Sequence, residues 1–181
     1  TIVDLLYYFE YENVPYGHLF SGNIHMITAD GVLNCNLPFN EIINNEIVVN
    51  YSHNWDLISL AIQTGLFPCN NMDESTLYGF SVGRYMNTEI DEMEMGTGYW
   101  LRFEEAEDCT FTGEFINQTT ITINDDWNLI GSISSPVNVN TILDESNLII
   151  PGTVYGFDGG YFEAETIEPG YGYWLRSSGE G

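Results

Sequence analysis

The chain has 181 residues, of which 44% are hydrophobic and 14% aromatic, which is enough for a packed core and too many for a disordered tail. It carries 27 acidic residues against three basic ones, for a formal net charge of −24 at pH 7. Such a surface repels nucleic acid and anionic membranes, so nucleic-acid binding is excluded. No apolar run approaches the length of a membrane span, and membrane insertion is not expected.

An internal repeat organises most of the chain. Residues 96–102, Gly-Thr-Gly-Tyr-Trp-Leu-Arg, return as Gly-Tyr-Gly-Tyr-Trp-Leu-Arg at 170–176, an offset of 170 − 96 = 74. Trp-Asp-Leu-Ile-Ser at 55–59 returns as Trp-Asn-Leu-Ile-Gly at 127–131, and Tyr-Gly-Phe at 78–80 returns at 155–157. Three ordered matches at a nearly constant offset predict tandem repeat units.

Residues 1–34 are predicted to form a degenerate half-unit of strands. The offset of 74 aligns residues 22–28 with 96–102, and residues 7–11 fall beside 78–85. An exposed edge strand is a template for pairing. This half-unit therefore either pairs within the chain or supplies strands to a neighbouring molecule, and the sequence leaves both alternatives open.

The repeat units are predicted to span 35–106 and 107–181, each mainly β with one short helix. Alternating polar and apolar residues, and the turns Asp-Gly-Gly and Glu-Pro-Gly, indicate the strands. In unit 1 we expect strands at 35–38, 46–49, 55–60, 78–80 and 96–102, with a helix near 72–75. In unit 2 we expect strands at 109–112, 120–123, 127–130, 154–157, 161–164 and 173–176, with a helix at 140–148.

The order Trp-Asn-Leu-Ile-Gly, Tyr-Gly-Phe-Asp-Gly-Gly-Tyr and Glu-Pro-Gly-Tyr-Gly-Tyr-Trp-Leu resembles a tryptophan-rich β repeat. That repeat occurs in large secreted and surface proteins of Bacteroidetes-like bacteria, often near a C-terminal sorting signal. The resemblance covers roughly residues 35–178, twice over. The chain departs from it at Thr97 and Tyr171, where the family has lysine, and at Asn54 and Asp126, where it has glycine. The resemblance implies an accessory or structural role and supplies no catalytic residues.

The residues themselves give little support to catalysis, and we predict no catalytic or cofactor-binding residue. His18, His25 and His53 are the only histidines, and their spacing matches no metal motif. The two Gly-x-Gly elements lack a third glycine and precede strands, unlike phosphate-binding loops. We therefore expect a protein that is not an enzyme.

The aromatic residues offer two kinds of interpretation. Trp55, Trp100, Trp127 and Trp174 could stack on sugars, but their recurrence in both units favours a role in the core. Tyrosines that do not recur are better candidates for a ligand or protein interface: Tyr7, Tyr8, Tyr11 and Tyr16, with Tyr161 and Tyr171. Arg102 and Arg176 are expected to pair with a carboxylate or stack on an aromatic ring.

The acidic residues and the cysteines allow further sites. Weak calcium candidates are the carboxylates of Asp91, Glu92, Glu94, Glu104, Glu105, Glu107 and Asp108, although an acidic run is usually a solvated face. Cys35 and Cys109 stand 74 residues apart, which favours equivalent buried thiols, with a bridge from Cys69 to one of them as the alternative. Sequons at Asn50 and Asn117 are candidate glycosylation sites.

These observations predict a non-catalytic extracellular or cell-surface structural protein. We expect it to self-assemble into a fibre or surface layer through β-strand pairing, with other copies of itself or other surface proteins as partners. The alternative is an adhesion or carbohydrate-binding accessory module whose exposed tyrosines contact glycans. No cofactor is predicted, apart from the calcium that the acidic clusters could hold.

Overall fold

The computed structural model describes residues 24–28, 31–35, 45–63 and 67–181. Contacts divide the chain into two compact units, Thr1–Asn44 and Asn45–Gly181. No helix in the described ranges is long and apolar enough to cross a membrane. The protein is mainly β, as predicted, and its strands form several antiparallel sheets.

The first unit contains one described hairpin. Strand β1 (Ile24–Thr28) pairs antiparallel with β2 (Gly31–Cys35), with Ile24 opposite Cys35 and Thr28 opposite Gly31. The interface candidates Tyr7, Tyr8, Tyr11 and Tyr16 lie outside the described residues, as do His18 and most of the strand predicted at 35–38.

Two four-stranded antiparallel sheets form most of the second unit, and we name them sheet A and sheet B. The strands of sheet A are β4 (Asn54–Ile58), β6 (Met72–Ser81), β7 (Arg84–Asn87) and β8 (Tyr99–Phe103). Those of sheet B are β10 (Asp126–Ile130), β12 (Tyr155–Phe157), β13 (Tyr161–Glu163) and β15 (Tyr173–Ser177). In sheet A the spatial order is β4-β8-β6-β7, and in sheet B it is β10-β15-β12-β13.

The pairing registers of the two sheets correspond. Trp55 lies opposite Arg102 in sheet A, as Trp127 lies opposite Arg176 in sheet B. Tyr78 lies opposite Trp100, and Tyr155 lies opposite Trp174. Because side chains alternate between the two faces of a strand, this register places tryptophan and tyrosine rings on one face of each sheet.

A third sheet covers the inner face of sheet A. It contains β3 (Asn45–Tyr51), β9 (Glu107–Phe115) and β5 (Ile62–Gln63) in the order β3-β9-β5. β3 and β9 pair along seven residues, from Asn45 opposite Gly113 to Tyr51 opposite Glu107. A two-stranded sheet, β11 (Val137–Asn138) with β14 (Thr166–Ile167), lies beside the core of sheet B.

Three apolar clusters stabilise the second unit. The first core packs the third sheet against sheet A and includes Phe103 and Phe111, both fully buried. The second core is smaller and centres on Ile130, Tyr173 and Leu175. A third cluster of Leu57, Leu129 and Trp174 joins the sheets, and further aromatic rings pack around it.

A disulfide links Cys69 to Cys109, with 5.2 Å between their Cα atoms. The expectation of a free buried thiol at Cys109 was therefore wrong, and the alternative of a bridge from Cys69 was correct for this pair. The loop that precedes β6 lies against β9, which brings together two cysteines that are 40 residues apart. The side chain of Cys35 lies outside the described part of the chain.

Both predicted helices were wrong. Residues 72–75 belong to β6, and the only helical turn near 140–148 is the three-residue 3-10 turn Val139–Thr141. At 144–149 the Asp144 carboxylate accepts the amides of Leu148 and Ile149, and such a side-chain turn competes with helix formation. The strand predicted at 120–123 is also not formed.

Candidate functional site

The four tryptophans lie on the outward face of the sheets rather than inside the two main cores. Only Trp174 is buried, at 7% exposure, while Trp100 and Trp127 are half-buried and Trp55 is 38% exposed. Trp100 and Trp127 pack against the third cluster around the buried Trp174, whereas Trp55 lies more exposed. The other rings line two clefts, and we call the surface formed by both clefts the aromatic face.

The first aromatic cleft has a volume of about 420 Å³. Five aromatic side chains line it: Trp55, Tyr78, Tyr85, Trp100 and Phe157. Phe157 belongs to sheet B and packs at 4.8 Å between ring centroids against Trp100 of sheet A. The cleft therefore depends on both sheets.

The second aromatic cleft, of about 540 Å³, corresponds to the first. Its lining residues are Phe80, Tyr85, Trp127, Tyr155, Tyr161 and Trp174. Here Phe80 of sheet A packs at 4.7 Å against Trp174 of sheet B. Tyr85 lines both clefts, so the two are adjacent.

The indole N–H of Trp174 at the second cleft is buried and has the Tyr161 hydroxyl as its neighbour. Its hydrogen bond to that hydroxyl is not of ideal geometry, but it opposes the increase in the pKa of Tyr161 that burial causes. Buried polar groups are nearly always hydrogen-bonded, and Tyr161 supplies the acceptor here.

The Gly-x-Gly elements connect the two sheets reciprocally. The amide of Gly98 donates to the Leu129 carbonyl (3.1 Å), and that of Gly172 donates to the Leu57 carbonyl (2.9 Å). A Cβ on Gly98 would lie 2.6 Å from the carbonyl oxygen of Ile130. Glycine is therefore required here by close approach of two backbones, which explains the recurring motif without a bound phosphate.

Asp56 is a buried carboxyl in sheet A, with 4% exposure. It accepts hydrogen bonds from the amide (2.7 Å) and the hydroxyl of Ser52. Burial raises the pKa of Asp56 from 3.8 to about 6, against the opposing effect of the Ser52 hydrogen bonds, and the Asp158 carboxylate adds to the increase. The corresponding residue of sheet B is Asn128. Its side-chain oxygen accepts a hydrogen bond from the backbone amide of Asn124, and its side-chain NH₂ donates one to the Asn124 carbonyl.

A cavity of about 280 Å³ opens beside Asp56. Asp158, Glu168 and Tyr171 are among its lining residues. Tyr171, one of the ligand candidates, is half-buried and donates its hydroxyl to the Asn50 carbonyl (2.6 Å). The other described tyrosine candidate, Tyr161, is exposed and lies in the second aromatic cleft.

Within the described part of the chain, residues 117–122 lie beside the second core without a strand partner, and we call this segment the unpaired edge. They take part in no strand pairing and no backbone hydrogen bond among the described residues. At the next residue, Ile123 and Gly181 exchange two backbone hydrogen bonds of 2.7 and 3.0 Å. Ile121 and Ile123 are half-buried against the second core.

The structure does not bring the seven calcium candidates together in one group. Asp91 and Glu92 lie in an exposed 3-10 turn (Ile90–Glu92), and Glu94, Glu104 and Glu105 are also exposed. Glu107 accepts the amides of Asn70 and Asn71, and Asp108 accepts the amide side chain of Asn50. Within the described residues, one group of three potential ligands is close enough for a metal: Cys69, Glu107 and Cys109, whose sulfurs form the disulfide.

Arg176 makes both contacts expected for it. Its Nε lies 2.7 Å from Asp126, and its guanidinium lies 5.9 Å from the Trp127 ring centroid. The sequon residues Asn50 and Asn117 are both exposed. Asn50 lies in β3, whereas Asn117 lies in the unpaired edge.

No family model matches the chain, and no curated protein or solved structure is detectably similar to it.

Two features of the site were missed by the sequence analysis. Phe80 of sheet A packs on Trp174 of sheet B, and Phe157 of sheet B packs on Trp100 of sheet A. No sequence signal predicts these contacts, because a Tyr-Gly-Phe strand gives no sign of its tertiary partner. The edge at residues 117–122 had a partial signal, because the alternation of polar and apolar residues at 120–123 is typical of a strand.

Proposed function

We propose that the protein is a non-catalytic extracellular or cell-surface module that assembles by β-strand exchange, with residues 117–123 as the acceptor edge. The observation that carries the proposal is the unpaired edge beside the second core. The same position beside the first core is covered by β9.

Among the described residues, the two cores differ in how far the edge beside each of them is covered. Val49 and Tyr51 of β3 are buried at 3% and 2% exposure, because Cys109 and Phe111 of β9 pack beside them. Ile121 and Ile123 stand 72 residues after Val49 and Tyr51 and are only half-buried. An apolar edge of this kind is a ready template for another strand.

The first pair of the missing ladder is already formed. In the first core, Tyr51 lies opposite Glu107 at one end of the β3–β9 ladder. Ile123 and Gly181 occupy the corresponding positions, 72 and 74 residues later, and exchange two hydrogen bonds. An incoming antiparallel strand would extend this ladder along residues 117–122 with the register of β9.

The donor that we propose is residues 34–41 of a second copy of the chain, since Gly181 already pairs with Ile123. This segment begins in β2 and stands 74 residues before residues 108–115, so Cys35 and Leu37 correspond to the buried Cys109 and Phe111. Its residues 36–41 lie outside the described part of the structure, and their assignment is from sequence alone. Exchange of one such strand per molecule links copies head to tail, which produces a ring or a fibre.

The proposal also includes an extracellular location and membership of the tryptophan-rich repeat family. The Cys69–Cys109 disulfide favours an oxidising, extracellular setting. We infer that sheets A and B are two copies of the tryptophan-rich repeat. The left-handed backbone of Asn54 (φ 88°) and Asp126 (φ 72°) supports this inference, since the family has glycine at this position.

Disulfide trapping tests the strand exchange. Val49 lies directly opposite Cys109, so the register predicts that Ile121 lies opposite Cys35 of the second copy. The Ile121→Cys variant should form disulfide-linked oligomers with the native Cys35 under mild oxidation, visible on a non-reducing gel. Asn117→Cys lies in the same exposed segment but out of register, and should crosslink far less.

Four results would overturn the proposal. Equal crosslinking by both cysteine variants would show that contact is random, and crosslinking that survives Cys35→Ser would exclude the proposed donor. A bond from residue 121 to Cys35 found by mass spectrometry only within monomers would place the pairing within one chain. Sedimentation of the unmodified protein as a monomer at all concentrations would exclude assembly.

Adhesion is a second candidate function, and the two aromatic clefts support it. They expose rings of Trp55, Tyr85 and Tyr161 to solvent. Contiguous exposed aromatic surface commonly marks a binding site. Ligand binding that is lost in Tyr85→Ala, but retained by the unmodified protein at concentrations where it is a monomer, would establish adhesion independently of strand exchange.

A further inference from the structure

We propose that the cavity beside Asp56 binds a primary alkylammonium group, of the kind that a lysine side chain or a free alkyl amine carries. We call this site the Asp56 cavity. Its residues belong to the second unit, and neither strand exchange nor the aromatic clefts are needed for this binding.

The Asp56 cavity is small, acidic and partly aromatic. Its volume of about 280 Å³ lies just below the range of about 300–1,000 Å³ that holds drug-sized ligands, so it suits one side chain or a small amine. No basic side chain of the described residues lines it. The lining carboxylates are those of Asp56, Asp158 and Glu168, and the lining aromatic residues are Phe157, Phe162, Tyr171 and Tyr173.

Asp56 is a buried anion without a counter-ion. It is 4% exposed, and its pKa of about 6 leaves it mainly ionised at pH 7. Its hydrogen bonds come from the amide and the hydroxyl of Ser52, which are neutral groups. In the part of the chain that the structure describes, the one salt bridge joins Arg176 to Asp126. A buried charge is costly unless an opposite charge accompanies it, so a cation at this cavity would be bound favourably.

The second repeat shows that the fold does not require a charge at this position. A corresponding cavity, of about 780 Å³, has Asn128 in the place of Asp56 and Gly79 in the place of Gly156. Asn128 is neutral, and its donors and its acceptor are engaged by backbone groups. An ionised carboxyl at position 56 therefore lowers stability where asparagine would fit. Binding sites commonly hold destabilising groups, and a carboxyl with a perturbed pKa in a cavity is typical of them.

The carboxylates of the cavity act on a common space. Burial is the main cause of the raised pKa of Asp56, and the Asp158 carboxylate adds to the increase. Burial also raises the pKa of Tyr171, and Asp56 and Asp158 add to that increase. Such mutual effects require the groups to lie near one another, because the interaction between charges falls with distance. A positive charge in this space is attracted by both carboxylates together.

The spacing of the carboxylates favours an ammonium over a metal ion. Among the described residues, the one group of three potential metal ligands within 4.8 Å of one another is Cys69, Glu107 and Cys109. The three carboxylates of the Asp56 cavity are therefore too far apart to bind one calcium ion together. An ammonium has three N–H donors that point in different directions and can reach separate acceptors, directly or through water.

An ammonium also fits Asp56 better than a guanidinium does. A guanidinium binds a carboxylate best through two parallel hydrogen bonds, one to each oxygen. Both oxygens of Asp56 already accept from Ser52: Oδ2 accepts the amide at 2.7 Å and the hydroxyl at 3.1 Å, and Oδ1 accepts the hydroxyl at 3.2 Å. One free direction on an oxygen is enough for an ammonium, which is a compact point charge.

The aromatic wall of the cavity suits the alkyl stem of the ligand. The Phe162 ring lies against the backbone of Gly156, where a Cβ would come within 2.5 Å of a ring carbon. Glycine at 156 therefore lets this ring lie beside the cavity. The alkyl stem of an amine buries apolar surface against such rings while its charged end contacts polar groups. A cation near an aromatic face also gains cation–π stabilisation.

Calorimetric titration of the full chain at pH 7 tests the assignment. One probe is Nα-acetyl-lysine methylamide, which presents a lysine side chain without charged termini, and the other is cadaverine, a free diamine of similar length. We expect saturable binding of one ligand per chain, with shifts of the Ser52 and Gly172 amide resonances in a ¹⁵N–¹H spectrum. Tighter binding of the lysine derivative assigns the site to a lysine of a partner protein, and tighter binding of cadaverine assigns it to a free amine.

A matched pair of variants separates the site from net charge. Asp56→Asn should weaken the binding of both probes by at least about tenfold, because it removes the buried charge that the ammonium neutralises. This variant should fold, since the second repeat has asparagine at the same position. Glu145→Gln removes an exposed charge outside the cavity and should bind both probes as the unmodified protein does. Nα-acetyl-norleucine methylamide keeps the alkyl stem without the charge and should not bind.

Several outcomes would contradict the assignment. Unchanged binding by Asp56→Asn would place the site elsewhere, and an equal loss in Glu145→Gln would reduce the effect to net charge. Binding of Nα-acetyl-arginine methylamide as tight as that of the lysine derivative would refute the preference for an ammonium. Displacement of both probes by an equal concentration of calcium would make the site a metal site, and failure of both probes to bind saturably would exclude it altogether.

Discussion

Replacing Asp56 by asparagine should stabilise the protein at neutral pH. The change gives sheet A the residue that sheet B has at the corresponding position, Asn128. Asn128 donates to the carbonyls of Asn124 (2.8 Å) and Asp126 (3.1 Å), which an ionised carboxylate cannot do. An asparagine at 56 can keep the acceptor role toward Ser52 and add these donor contacts.

The magnitude follows from the raised pKa of Asp56. The difference between 3.8 and about 6, at about 1.4 kcal/mol per pH unit, corresponds to about 3 kcal/mol. Because the folded state binds this proton more tightly, the contribution of Asp56 to stability is complete below pH 3.8 and is lost as the pH rises through 6. Asp56→Asn should thus match the unmodified protein near pH 3.5 and exceed it by up to about 3 kcal/mol at pH 7.

Urea unfolding at pH 3.5, 5 and 7, followed by tryptophan fluorescence, measures this difference. Backbone hydrogen bonds hold the pKa of Asp144 below its ordinary value, so the contribution of Asp144 to stability is lost as the pH falls. This contribution is the same in Asp56→Asn and in the unmodified protein, and it cancels when their free energies of unfolding are subtracted. The reciprocal Asn128→Asp should lose stability as the pH rises. A stability difference between Asp56→Asn and the unmodified protein that does not change between pH 3.5 and 7 would refute the reasoning.

Three further predictions concern the fold, each read out by urea unfolding. Gly98→Ala should lower the free energy of unfolding by at least about 2 kcal/mol, because the added Cβ would lie 2.6 Å from a carbonyl oxygen. Gly160→Ala is the control, since its Cβ would meet nothing within 4 Å. An equal loss in both variants would contradict the steric argument. Removing the Cys69–Cys109 bridge with two serines should lower stability by about 4 kcal/mol for a 40-residue loop, and no loss would exclude the bond. Val82→Asn should add about 1 kcal/mol, since Val82 (φ 48°) precedes a glycine also at positive φ in a hairpin turn that suits asparagine; a destabilised variant would refute it.

The sequence predicted the strands best where local pattern and repetition agree. The Trp-containing strands and the Tyr-Trp-Leu-Arg strands lie within three residues of their predicted bounds. It failed at 72–75, where a polar sequence without clear periodicity pairs with β8 through tertiary contact.

The exposure of the tryptophans was beyond prediction for a physical reason. Alternation along a strand separates two faces but does not tell which of them is covered. In sheet A, Leu101 faces the covered side and is fully buried, while Trp100 beside it faces the cleft. Repetition indicated that the residues share one environment, and in the structure that environment is the third cluster, where Trp174 is buried and Trp100 and Trp127 are half-buried.

The reciprocal hydrogen bonds of the Gly-x-Gly elements have a consequence for folding. Leu57 accepts from Gly172 and Leu129 accepts from Gly98, so each sheet closes only when the other is present. The Gly172–Leu57 contact joins residues more than a hundred positions apart, and the Gly98–Leu129 contact joins residues about thirty positions apart. Contacts between residues distant in sequence make folding slow. We expect the second unit to fold in one cooperative transition, and neither sheet to persist when expressed alone. Any longer array of such sheets would then grow in pairs, with the pair and not the single repeat as the smallest stable building block.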